Sequence, residues 1–210
     1  MHAALLDAAA TETQRLLRGV PHFAWDGPGL GEWTLRELAG HTVRALEVIV
    51  DYLHAPSPET PMLSDAAEYF GAALSGADAT GVAARAGVAA RGRERARRFA
   101  SDDAIADEYT AAHARAVDAL LEAASDRLVV SALGPLPLRE YVRTRLLETV
   151  VHGLDVARAT EQKASFPTPC LRAVAVLLAE ILTLDPALGE RFVLAATGRE
   201  AWSDLLPVVS

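Results

Sequence analysis

Glu148, His152 and Asp155 fall within one short segment, RLLETVVHGLDVARAT, residues 145–160. At about 100° per residue, these three side chains share a narrow helical strip. Leu146, Leu147, Val150, Val151, Leu154 and Val156 form the apolar side next to it. A glutamate and a histidine at i, i+4 put two potential donors on one face, about 6 Å apart at the backbone. Such a strip is either the solvated back of an ordinary helix or half of a metal site that needs another histidine.

His41 is a candidate for that histidine. In GEWTLRELAGHTVRALEVIVDYL it points the same way as Ala45, Val48 and Tyr52, flanked by Leu38 and Ile49, and so faces inward. A lone buried histidine is ordinarily neutral, with both nitrogens bonded to nearby polar groups. Taken with Glu148 and His152, it completes two imidazoles and a carboxylate. These donors suit a divalent ion, Zn2+ first and Ni2+ or Fe2+ also, with a fourth position open for water or substrate. Helix bundles build metal sites this way, from ligands projected inward by facing helices. Asp155, one turn beyond His152, can orient its imidazole through the second nitrogen or pair with Arg158. Arg44 and Arg145 flank the donors, and either can hold a carboxylate bidentately, although a surface ion pair is the plainer expectation for both. No catalytic acid or base is identifiable.

Helices must position these residues. The first spans residues 3–17. The second starts at a capping box, Thr34 with Glu37, between an apolar Trp33 and Leu38, and runs to residue 54 before Pro56 and Pro58. Residues 59–75 predict a loop with a short helix capped by Ser64 or Asp65. A long helical stretch over 78–124 breaks near Ser101-Asp102-Asp103, and its basic run RGRERARRF reads as a solvated, salt-bridged face. In DRLVVSALGPLPLREY a short strand is expected at 128–130, and Pro137 opens the helix carrying Glu148 and His152. After Pro167 and Pro169 a helix over 170–184 ends at Asp185-Pro186. The tail ERFVLAATGREAWSDLLPVVS, with Gly198 in its middle, predicts a small β-hairpin. The expected fold is all-α: an up-and-down four-helix bundle over residues 1–165, with a helix-plus-hairpin extension over 166–210 packed on it. About forty residues are too few for a separate core.

Composition limits the function classes. Of 210 residues, 51% are hydrophobic but only 6% aromatic, so alanine and leucine carry the burial. The net charge of -8 disfavours nucleic acid and anionic lipid as partners. A single cysteine, Cys170, excludes an internal disulfide framework and a CxxC site. The N-terminus lacks a basic segment before its apolar residues, and no run of eighteen apolar residues occurs. A soluble, cytoplasmic protein is expected, with homodimerisation left open.

The motif GEWTLRELAGH, followed about a hundred residues later by TRLLETVVHGLDVARA, resembles the mycothiol-dependent maleylpyruvate isomerase N-terminal family of the DinB/YfiT-like superfamily. The similarity covers roughly residues 5–165. It implies a DinB-like four-helix bundle with metal ligands His41, Glu148 and His152. It also implies a small thiol such as mycothiol as cosubstrate, activated as a metal-bound thiolate that attacks an electrophilic substrate. The product is then an S-conjugate, or a cis–trans isomer if the thiol is expelled. Two other classes fit the same donors: a bundle metalloprotein with hydrolytic chemistry, and a purely ligand-binding bundle.

Overall fold

The structure is a computed structural model that describes residues 2–74, 79–124 and 126–201. Within them the chain forms α1 (His2–Arg18), β1 (Pro28–Leu30), β2 (Trp33–Thr34), α2 (Leu35–His54), α3 (Ala66–Leu74), α4 (Ala79–Ala96) and α5 (Asp102–Glu122). It continues through β3 (Leu128–Ser131), β4 (Gly134–Pro137), α6 (Leu138–Ala159), α7 (Thr168–Leu182) and α8 (Pro186–Ala196). The expected all-α bundle is present. α1, α2, α5 and α6 form a ring in which α1 and α2 each pack against both α5 and α6. Small residues allow the close approach: Ala9, Ala10, Ala39, Ala112 and Ala116 are buried between Leu6, Leu16, Leu38, Ile49, Ile105 and Leu146. α4 lies along the outside of α2, and α7 packs against α1, α3 and α6. Among the described residues no helix is long and apolar enough to cross a membrane.

The start signals act as the sequence implies. The Thr34 hydroxyl accepts from the Glu37 amide at 3.2 Å, and the Glu37 carboxylate accepts from the Thr34 amide at 3.0 Å. Ser101 caps α5, accepting from the Ala104 amide at 3.2 Å. For α3 the cap is Asp65, whose carboxylate accepts from the Glu68 amide at 2.9 Å. The expected helix start at residue 78 lies outside the described residues.

Three expectations are corrected. The expected connector strand is present as β3 and pairs antiparallel with β4 from Leu128↔Pro137 to Ser131↔Gly134, but Pro137 is the N-cap of α6 rather than its first residue. The basic run is not uniformly solvated. Arg97 and Arg98 pair with Glu94 on the surface, but the Arg95 side chain, 12% exposed, ties Glu47 of α2 to Glu108 of α5 at 3.1 and 2.6 Å.

The third correction is the tail. Asp185-Pro186 does not end structure but begins α8, with Asp185 accepting from the Ala187 amide at 2.9 Å and Pro186 in the first turn. Gly198 is not the centre of a hairpin. At φ 77° it closes α8 in a Schellman motif, Gly198 N–H to the Ala195 carbonyl and Arg199 N–H to the Leu194 carbonyl, at 3.0 and 2.7 Å. Residues 202–210 lie outside the described part.

Candidate metal centre

His41 is the seventh residue of α2, so the capping box that fixes the helix start also fixes its direction. Behind it, α4 crosses α2 at backbone contact. A methyl group at Gly40 would come 2.6 Å from the Gly92 carbonyl oxygen, and one at Gly92 would come 3.3 Å from the His41 Cβ. Glycine at Gly40 is therefore what lets α4 approach and back the histidine. The far end of α2 is tied to the β3–β4 hairpin that leads into α6, since Arg127 Nη2 donates to the Leu53 and Ala55 carbonyls, both at 2.8 Å.

The two helices bring the three sequence-derived donors together. His41 Nε2 is 3.0 Å and His152 Nε2 3.3 Å from the same oxygen of Glu148, Oε2. One donor atom from each residue lies within 4.8 Å of the others. Donors on a tetrahedral zinc with bonds of about 2.0–2.1 Å stand about 3.3 Å apart, so the donor set fits such an ion with small adjustments. All three side chains are largely covered, at 12%, 19% and 13% exposure for His41, Glu148 and His152. The Trp33 ring walls His41 at a centroid distance of 5.1 Å.

Asp155 turns to His152, with its Oδ2 3.1 Å from Nδ1. That contact holds a proton on Nδ1 and fixes the ring so that Nε2 is the nitrogen presented to Glu148. Arg44 is not part of the cluster. It pairs with Asp51 at 2.7 Å on the exposed side of α2. Arg145 is not the surface residue that its helical flank suggests: it is 8% exposed, and its guanidinium carbon lies 4.9 Å from the Tyr141 ring.

The charges follow from this packing. Burial lowers the pKa of His41, against the opposing hydrogen bond that His41 donates to Glu148. Burial alone would raise that of Glu148, but hydrogen bonds from His152 and His41 and the charge of Arg145 hold it well below the usual carboxylate range. For His152 burial acts downward, yet Asp155 and Glu148 outweigh it and raise the pKa to about 9. Without an ion the cluster is thus a satisfied hydrogen-bonded group rather than a set of orphaned polar atoms.

Sequence reasoning missed the aromatic surroundings. Tyr141 is one turn before Arg145 on the same helix. Tyr52 is on the inward face of His41, but nothing in the sequence pattern brings Tyr69 of α3 to them.

The family described as Mycothiol maleylpyruvate isomerase N-terminal domain matches residues 6–157. That span contains His41, Arg145, Glu148, His152 and Asp155 and ends before α7. No curated protein and no solved structure matches the chain.

Proposed function

Given that the chain belongs to the mycothiol maleylpyruvate isomerase N-terminal family, we propose that His41, Glu148 and His152 bind one divalent metal ion, zinc foremost. The protein then activates a low-molecular-weight thiol, mycothiol in the first instance, for attack on an electrophilic carbon. The observation that carries this reading is the convergence of two imidazoles on one carboxylate oxygen from two separate helices. A bound divalent ion with an open position supplies Lewis acidity that makes a thiol acidic near neutral pH.

The chain's own residues hold that chemistry in place. Asp155 fixes the tautomer and the ring direction of His152. Gly40 and Gly92 let α4 back His41, and Trp33 lies against its ring. The thiol loses its proton to solvent, and its sulfur forms a bond to an unsaturated carbon. The π bond opens as that bond forms; if the new bond persists, the adjacent carbon takes a proton back from solvent and the product is an S-conjugate. If the former double bond rotates and the thiolate is expelled, the product is the geometric isomer, and the thiol is regenerated on reprotonation. The protein is expected to act in the cytoplasm on small molecules, without nucleic acid.

Metal content and thiol consumption measured on the same samples test the proposal. Wild type and His152→Ala receive mycothiol and a panel of electrophiles that includes maleylpyruvate. Wild type should carry about one ion per chain and consume thiol, and His152→Ala should lose both. Equal consumption by the two proteins would remove the catalytic reading.

A further inference from the structure

The packing of α8 on α7 does not account for its stability. The helix has 11 residues. Isolated helices shorter than about 12–15 residues are marginal in water, so one of this length persists by burying an apolar face. Among the described residues α8 buries one side chain, Ala195 at 2% exposure. Leu188 is 36% exposed, and Leu184, in the turn between α7 and α8, is 48% exposed. A methyl group at Gly71 would come 2.8 Å from Leu184 Cδ1, so that turn lies against α3.

The chain after α8 heads back along the helix. Beyond Gly198 the amides of Arg199 and Glu200 both donate to the Leu194 carbonyl, at 2.7 and 3.3 Å. The Glu200 carboxylate then accepts from Arg191 Nε at 3.4 Å, so the chain has turned from the end of α8 toward its start. At about 100° per residue, Arg191 shares one face with Ala187, Leu188 and Leu194, and Leu184 lies at the far end of that face.

Nine residues follow Ala201, WSDLLPVVS, of which six are apolar and one, Asp204, is charged. Extended at about 3.3 Å per residue they reach about 30 Å. The axis of α8 is about 16 Å long at 1.5 Å per residue. From the Glu200 anchor, the same rises bring Trp202 near the level of Leu188 and carry Leu205 and Leu206 to the α7–α8 turn.

We infer that residues 202–210 dock antiparallel along this face of α8 as an apolar strap, with Trp202 over Leu188 and with Leu205 and Leu206 against Leu184. The occupant is already tethered beside its groove, so its effective concentration there exceeds that of any separate chain. The family's span ends at residue 157. The strap thus fastens α7 and α8, which lie beyond that span, at the corner where they meet α3.

Hydrogen exchange on the full chain tests this, comparing wild type with Leu205→Ser/Leu206→Ser. Amides of α8 should exchange at least about tenfold faster in the variant, while those of α5 stay unchanged. Disulfide trapping identifies the occupant. Ala187→Cys/Ser203→Cys, which leaves Trp202, Leu205, Leu206 and Leu188 in place, should oxidise to an intrachain disulfide in a protein that sedimentation finds monomeric. An interchain disulfide, or α8 protection that rises with protein concentration, would give the face to a second copy and overturn the proposal. Unchanged α8 exchange in the double-serine variant would overturn it as well. If that variant unfolds throughout, the crosslink decides alone: an intrachain disulfide upholds the strap and its absence removes it.

Discussion

His41 and His152 meet edge to face, with ring centroids 4.9 Å apart and planes at 87°, and both direct Nε2 at one oxygen of Glu148. Two imidazoles from different helices could repel or strand each other. Here the shared carboxylate satisfies both, so the fold does not need an ion to be stable.

Zinc should therefore act as a stabilising ligand rather than a folding requirement. Metal-free protein should melt cooperatively, and zinc at a hundred times its Kd should add about 2.7 kcal/mol. For a chain of this size that is a rise in Tm of roughly 5–10 °C. His41→Ala should show no rise when zinc is added. A matching rise in that variant would show that zinc binds elsewhere.

Removing the shared carboxylate should be far more damaging than removing zinc. Glu148→Ala removes the negative neighbour of buried Arg145 and leaves His152 only Asp155, a loss of about 3–5 kcal/mol for a broken buried pair. Urea unfolding of the metal-free proteins measures it. A difference below about 1 kcal/mol would mean that the cluster is hydrated and the charges screened.

Much of this was legible in the chain, and the limits have physical causes. A helical period of 3.6 residues fixes which side chains share a face, so the convergence of Glu148, His152 and Asp155 could be read directly. The inward direction of His41 followed from the same period. Arg145 was misread because a helix flank faces either solvent or a neighbouring element, and its neighbour, α3, enters from a distant part of the sequence. The tail was misread for another reason. Asp-Pro can end one helix or cap the next, and a glycine at positive φ can turn a hairpin or close a helix. Only tertiary context separates these cases.

Gly40→Ala should test how closely His41 depends on α4. The added methyl group would stand 2.6 Å from the Gly92 carbonyl and 2.8 Å from the Ala96 amide, both backbone groups that cannot swing away. Overpacking of this kind costs about 1–3 kcal/mol, and the displaced α2 should bind zinc more weakly. Unchanged zinc affinity in a destabilised variant would separate the crossing from the site.

Glu12 gives a pH signature away from the triad. Its carboxylate accepts from Arg15 Nη2 and Nε at 2.7 and 2.9 Å and from the Ser165 amide at 2.6 Å, clamping the segment after α6 onto α1. The Arg15 hydrogen bond outweighs burial, and with the Ser165 amide it lowers the Glu12 pKa below 4.5. The stabilisation is thus complete above the unfolded value near 4.5 and is lost as pH falls through the lower folded value. Glu12→Gln should be less stable at pH 7 and should flatten this acid limb. An unaltered limb on chemical denaturation would assign it to other carboxylates.

The segment after residue 165 is expected to behave as part of the bundle. Cys170, Val174, Leu177 and Ile181 are buried, and the Cys170 thiol donates to the Leu5 carbonyl at 3.3 Å. Limited proteolysis should not release a folded tail, and a chain truncated before α7 should lose stability. Recovery of two stable fragments would contradict this.

His41 and Glu148 touch across 107 residues of sequence, which has a kinetic meaning. Loop closure over such a span is entropically late, whereas Glu148 and His152 come within reach as soon as α6 forms. The cluster is therefore assembled in two steps, a local half and a half delivered by docking of α2 onto α6. During refolding, capture of a metal probe should lag helix formation and coincide with the closing of the bundle, so the site reports native topology rather than templating it.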